Sequence, residues 1–197
     1  MEEFPKPATR RCTEKILEQM YNSIYNNINE KSEKYVGFFC KIKSKNKTIP
    51  VFITSYEAIK ERNIDHYNNE IIISINNNNT KIEISNIKLI NKEYDLFVAE
   101  VKLNKSSSNK INFLELDEIL YKKEYEEYYN KESIYIIHNN KEREISVSYG
   151  IINNINQSNL KLSCNINPNS SCCPIFNSSN NKLIGIYIKC KNKNESN

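Results

Sequence analysis

The chain has 197 residues, 39% of them hydrophobic and 26% charged, with a formal net charge of +4. That length suits one domain or two small lobes around a buried core. The mild charge argues against a nucleic-acid partner, and no run approaches the roughly 18 apolar residues of a membrane span.

Residues 1–12 carry two prolines and Arg10-Arg11 and read as an irregular arm. The start has no apolar core of a secretory signal, so an intracellular, cytoplasmic setting is expected. Thr13 is a fair N-cap, and Ile16, Leu17, Met20, Tyr21, Ile24 and Tyr25 recur at helical spacing, predicting an amphipathic helix. This arm and helix make an N-terminal segment, residues 1–30. The helix is expected to pack on the body of the protein; its alternative use is to bind a partner.

From residue 31 the period becomes that of strands. Tyr35–Ile42 and Ile49–Thr54 flank a polar turn and predict a hairpin. Its tip, Lys41-Ile42-Lys43-Ser44-Lys45-Asn46-Lys47, has no interleaved aromatics for base stacking and reads as solvated. Glu70–Ile75 and Lys81–Ser85 flank Asn76–Asn79 as a second hairpin, and Asp95–Val101 is another strand. Ser106–Asn109 marks a loop, and the polar, tyrosine-rich 116–132 reads as a linker with some helix. Ile134–Ile137, Ile145–Ile152, Leu160–Cys164 and Leu183–Ile188 are further strands. Short strands with turn signals between them argue for an all-β barrel or sandwich.

Six cysteines are present: Cys12, Cys40, Cys164, Cys172, Cys173 and Cys190. Without a secretion signal they are expected to be reduced and buried. They lack paired C-x-x-C spacing, and only His66 and His138 could add imidazoles, so neither metal nor cofactor is expected.

One stretch carries more information than the rest. Ile166-Asn167-Pro168-Asn169-Ser170-Ser171-Cys172-Cys173-Pro174-Ile175-Phe176-Asn177, followed by Leu183-Ile184-Gly185-Ile186, resembles the nucleophile loop of trypsin-like serine peptidases. The pattern of the HtrA (Deg) branch is I-N-P-G-N-S-G-G-P-L-x-N and then V-I-G-I. Intracellular trypsin-like peptidases of protists and fungi, reading G-S-S-G-S-P-I-L-N, are similar too. In this register Ser171 takes the nucleophile position, and the backbone N–H groups of Asn169 and Ser171 take the oxyanion hole. Cys172 and Cys173 stand in place of two glycines.

The family's base lies in a pattern like P-V-L-I-T-N-N-H-V-L. Pro50-Val51-Phe52-Ile53-Thr54-Ser55-Tyr56-Glu57-Ala58-Ile59 matches it with Glu57 in the histidine's place. The acid opens a strand like D-I-x-x-I-E-I, which puts it at Asp95. Further matches are Gly37–Ile42, Phe113–Asp117, Ser133–His138 and Ser146–Ile152, so the resemblance spans residues 13 to 190. It implies two six-stranded antiparallel barrels, about 31–115 and 133–191, joined by the linker and followed by a tail at 192–197. The active-site position would lie between them.

A Ser-His-Asp site needs an imidazole to take the serine's proton and a carboxylate to fix its tautomer. With Glu57 in that place, and a side chain at each glycine position near Ser171, the expectation is an inactive homologue. Its inter-barrel cleft would hold a peptide or protein; its oligomeric state is left open. The alternative is an active endopeptidase in which Glu57 and Asp95 share a proton and serve Ser171 as base. His138, in a strand well removed from the catalytic motif, reads as structural and His66 as exposed. A Cys172 or Cys173 nucleophile would need a thiol acidified by a nearby cation, which the sequence does not supply.

Overall fold

The computed structural model describes residues 10–28, 34–44, 47–60, 70–75, 78–102, 111–142, 144–156 and 159–188. His66, the 106–109 loop, Cys190 and the 192–197 tail lie outside them.

Helix α1 spans Arg10–Asn22. Its buried side is Cys12, Ile16 and Gln19, while Leu17 and Tyr21 are exposed, Tyr21 by 70%. The apolar pattern had extended the helix through Ile24 and Tyr25, but these begin strand β1, Ile24–Ile28. Both residue types favour strands, and their ladder partners Phe38 and Gly37 settle the matter. The Tyr25 hydroxyl donates to Asn22 O at 2.8 Å across the junction.

Strands β2 (Lys34–Ser44), β3 (Lys47–Ser55), β4 (Glu70–Ile75), β5 (Asn78–Asn91) and β6 (Leu96–Lys102) complete the first body. The strand order is β1-β2-β3-β6-β5-β4, closed into a barrel by Asn26 opposite Ser74. Tyr25, Phe39, Phe52, Ile82, Ile84 and Phe97 form its core, with Phe39 fully buried. Next to Phe39, Gly37 is small for a reason: a Cβ there would lie 2.6 Å from Cζ of Phe52.

Between Val36 and Cys40, strand β2 is buried on both faces. Phe39 points into the barrel, while its neighbours Val36, Phe38 and Cys40 join a second core with Ile134, Ile136, Cys173 and Phe176. That shared core is where the two bodies meet, and it explains the unbroken apolar run in β2.

The second body contains β7 (Ser133–Asn139), β8 (Ile145–Asn156), β9 (Asn159–Cys164), β10 (Cys173–Asn177) and β11 (Leu183–Tyr187). Their order is β11-β10-β7-β8-β9. The all-β, two-body architecture is as the sequence reads, but the described residues give this sheet five strands rather than six. Its outer strands still curl toward each other: a Cβ at Gly185 of β11 would sit 3.0 Å from Cδ1 of Leu160 of β9.

Between the bodies the chain forms a 3-10 turn, Glu118–Tyr121, capped by Asp117, and a short helix α2, Tyr125–Tyr129. Just before them, Leu114 N–H donates to Phe39 O and Leu183 N–H donates to Glu115 O, both at 2.8 Å. One short segment therefore ties β2 to β11. Gln19, from α1, adds a further tie. It accepts from the Tyr135 hydroxyl at 2.6 Å and donates to Asn181 O at 2.9 Å. Among the described residues no helix is long and apolar enough to cross a membrane.

Candidate active site

The turn after β3 places two of the three family positions. Ser55 ends the strand and Asp95 precedes β6, which pairs with β3 through Ser55 and Leu96. Asp95 has φ of 49°, a left-handed conformation that aspartate tolerates better than most residues. Both oxygens of its carboxylate accept: Oδ2 from the Ser55 hydroxyl at 2.6 Å and Oδ1 from Glu57 N–H at 2.9 Å. Ser55 Oγ also accepts from Glu57 N–H at 3.1 Å, and Tyr56 N–H donates to Asp95 O at 3.2 Å. Asp95 and Ser55 thus cap the 56–60 turn together. The acid that would orient a histidine is here a buried structural acceptor.

Glu57 is held at the family's base position by its backbone, yet its carboxylate pairs with Lys60 in the same turn. Asp95 itself is held by the Ser55 hydroxyl and the Glu57 N–H, one on each oxygen.

The third position comes from the loop between β9 and β10. Asn167 organises it as an Asx turn. Its Oδ1 accepts from Asn169 N–H at 3.1 Å, and its carbonyl accepts from Ser170 N–H at 2.9 Å. Its Nδ2 donates to Asn139 O and Asn140 O at 3.1 and 2.9 Å, which fastens the loop to the end of β7. Ser170 Oγ donates to the same Asn139 carbonyl at 2.9 Å.

Two consequences concern the oxyanion hole. The Asn169 N–H, one of its two expected donors, is spent inside the loop on Asn167. The left-handed residue of the loop is Cys172, with φ of 55°. An L-residue there carries a strain of about 1–2 kcal/mol, which a glycine would avoid. The buried Cys172 thiol donates to Asp95 O at 3.2 Å. That bond crosses from one body to the other and brings the Glu57, Asp95 and Ser171 positions into one neighbourhood.

Within it, Ser171 is sealed. The residue is 9% exposed, and its Oγ is buried without a hydrogen bond from any described residue. A serine nucleophile needs both a base and a path for the substrate carbonyl; among the described residues no hydrogen bond joins a base to this hydroxyl. The adjacent thiols offer no substitute. Burial first, then the Asp95 charge and Cys173, push the Cys172 thiol far up, and burial raises Cys173 to about 12. Both remain thiols, whereas a cysteine nucleophile must be a thiolate. No group of three or more potential metal ligands occurs among the described residues.

His138 is nearer than the sequence suggested. It is buried, and its Nδ1 lies 3.0 Å from Asn139 O, the carbonyl that also holds Asn167 and Ser170. Sequence reasoning also missed Ser55 and Asn139. Ser55 had a local signal, a serine two residues ahead of a turn amide; the role of Asn139 depends on tertiary placement alone.

The sequence matches no protein-family model and no curated protein. Among solved structures, the fold is similar to the crystal structure of Deg5, a trypsin-like protease of the HtrA type. The TM-score is 0.54 at 13% identity, over 89% of this chain and 83% of that chain. Likeness at such low identity speaks for architecture alone, and what it establishes is that this chain adopts the trypsin-like double-barrel fold.

Proposed function

We propose that this protein is a catalytically inactive homologue of trypsin-like serine peptidases, and that it holds a peptide or protein partner between its two bodies. The observation that carries the first half is the burial of the Ser171 hydroxyl without a hydrogen bond to a base among the described residues. The pairing of Glu57 with Lys60 and the hydrogen bonds that hold Asp95 to Ser55 and the Glu57 N–H support it from the base's side. For the binding half, the support is what the fold keeps. The bodies remain stitched together around the old site, through Cys172 and the 114–117 segment, although the chemistry there has lost its parts.

The competing reading is an active endopeptidase with Glu57 and Asp95 as a proton-sharing base. Its support is the convergence of the three positions. Digestion of a casein-type substrate between pH 4 and 9 separates the two. The inactive reading expects no turnover beyond that of Ser171→Ala at any pH, and capture of peptides from a random pool equally by both proteins. Turnover that disappears with Ser171 would establish the enzyme instead.

A further inference from the structure

A second groove runs along the connector, away from the Ser171 neighbourhood. Residues 111–116 and Glu118 line it, together with Lys41, Lys43 and Thr48 of the β2–β3 hairpin and Lys182 of the β10–β11 turn, and it encloses about 500 Å³. That volume is typical of a ligand site. Thr48 stands near the start of β3, seven residues before Ser55, the partner of Asp95. Roughly 23 Å of strand therefore separates this groove from the family's catalytic positions.

The connector sets the shape of the groove. One parallel bridge joins Leu114 to Cys40 of β2, and another joins Leu116 to Leu183 of β11. An extended run from Ile111 to Leu116 is about 16 Å long, enough to lie beside about five residues of another extended chain. The floor is apolar: Ile111 and Leu114 are buried, and Phe113 and Leu116 are half-buried.

The rim is charged, with three lysines against Glu115 and Glu118. Lys43 Nζ donates to Glu118 at 2.8 Å, which joins the hairpin to the connector. Lys43 first, then Lys182, holds the Glu118 carboxylate below its usual range. Lys41 Nζ lies over the Phe113 ring, 4.8 Å from its centre. Neither Lys41 nor Lys182 has a carboxylate within ion-pair distance among the described residues. The groove thus already holds one carboxylate, supplied by the chain itself, and keeps two further ammonium groups beside an apolar floor.

We infer that this groove receives an acidic, extended peptide segment of a partner protein. An apolar side chain of that segment lies on the Ile111 and Leu114 floor, and its carboxylates meet Lys41 and Lys182. Glu118 is the internal competitor, because a carboxylate arriving at Lys43 has to displace it. Exposed ion pairs contribute little one at a time and are screened by salt. Affinity therefore rests on several pairs acting together with the apolar contact. Phosphates of a nucleic acid would meet the same lysines but leave the floor empty.

The inference is independent of the reading of the Ser171 site, and its test keeps the two apart. Fluorescence anisotropy of a labelled Glu-Leu-Glu-Leu-Glu peptide is followed on the full chain at low salt. Saturable binding is expected, weakened about fivefold in the double variant Lys41→Gln/Lys182→Gln and strengthened about twofold in Glu118→Gln. Lys41 and Glu118 are exposed, so their single variants carry the test should the double variant be impaired. Ser171→Ala is expected to bind as the natural protein does. Affinity unchanged in the rim variants would overturn the assignment, and a loss confined to Ser171→Ala would place the peptide between the catalytic positions instead. Equal binding of a Lys-Leu-Lys-Leu-Lys peptide, or displacement by an oligonucleotide of the same charge, would overturn it too.

Discussion

Asp95→Ala is expected to destabilise the protein by about 3 kcal/mol, the order found when buried donors lose a charged acceptor. The two donors are the Ser55 hydroxyl and the Glu57 N–H, at 2.6 and 2.9 Å. The loss is held to that size because Ser55 Oγ remains an acceptor for Glu57 N–H. For a chain of this length it corresponds to a fall in melting temperature of roughly 6–12 °C. Asp95→Asn keeps one acceptor and tolerates the left-handed backbone, so about half the loss should return. Thermal melts of the three proteins measure this directly. A neutral Asp95→Ala would mean that the acid does not cap the 56–60 turn and is retained for something else.

Phe39→Ala has the larger expected effect, about 4 kcal/mol. Phe39 is fully buried, with Tyr25, Phe52 and Phe113 rings centred 5.2, 4.8 and 6.1 Å away. Its carbonyl also anchors Leu114, the first stitch of the segment that ties the two bodies together. The void would open in the barrel centre, where closed strands limit relaxation. Urea denaturation should show a lowered midpoint, with Phe39→Leu recovering more than half of the loss. A midpoint shift below that of Asp95→Ala would argue that the barrel core is not where the first body's stability resides.

The strands were legible because their alternation and turn signals are local. The helix boundary was not, since Ile24 and Tyr25 fit a helical stripe equally well. Their strand partners, Phe38 and Gly37, lie more than ten residues away. The same distinction separates the parts of the site. Flanking motifs set Ser171, Asp95 and Glu57 against the positions of the trypsin-like pattern. The pairing of Glu57 with Lys60, the hydrogen bond from Ser55 to Asp95 and the burial of Ser171 Oγ could not be read there. Each depends on which donor another part of the chain presents. Asn169 is the clearest case. It was expected to offer its N–H to an oxyanion, but Asn167 captured that N–H and the strained turn fell to Cys172.

The most direct measurement is covalent labelling by a fluorophosphonate probe from pH 4 to 9, on the natural protein, Ser171→Ala and Glu57→His. The sealed Ser171 hydroxyl predicts no labelling in any of the three, including the variant that restores an imidazole at the base position. Labelling of the natural protein that disappears with Ser171, above all if it rises on the acid side, would contradict the account and make this protein a peptidase with a carboxylate base.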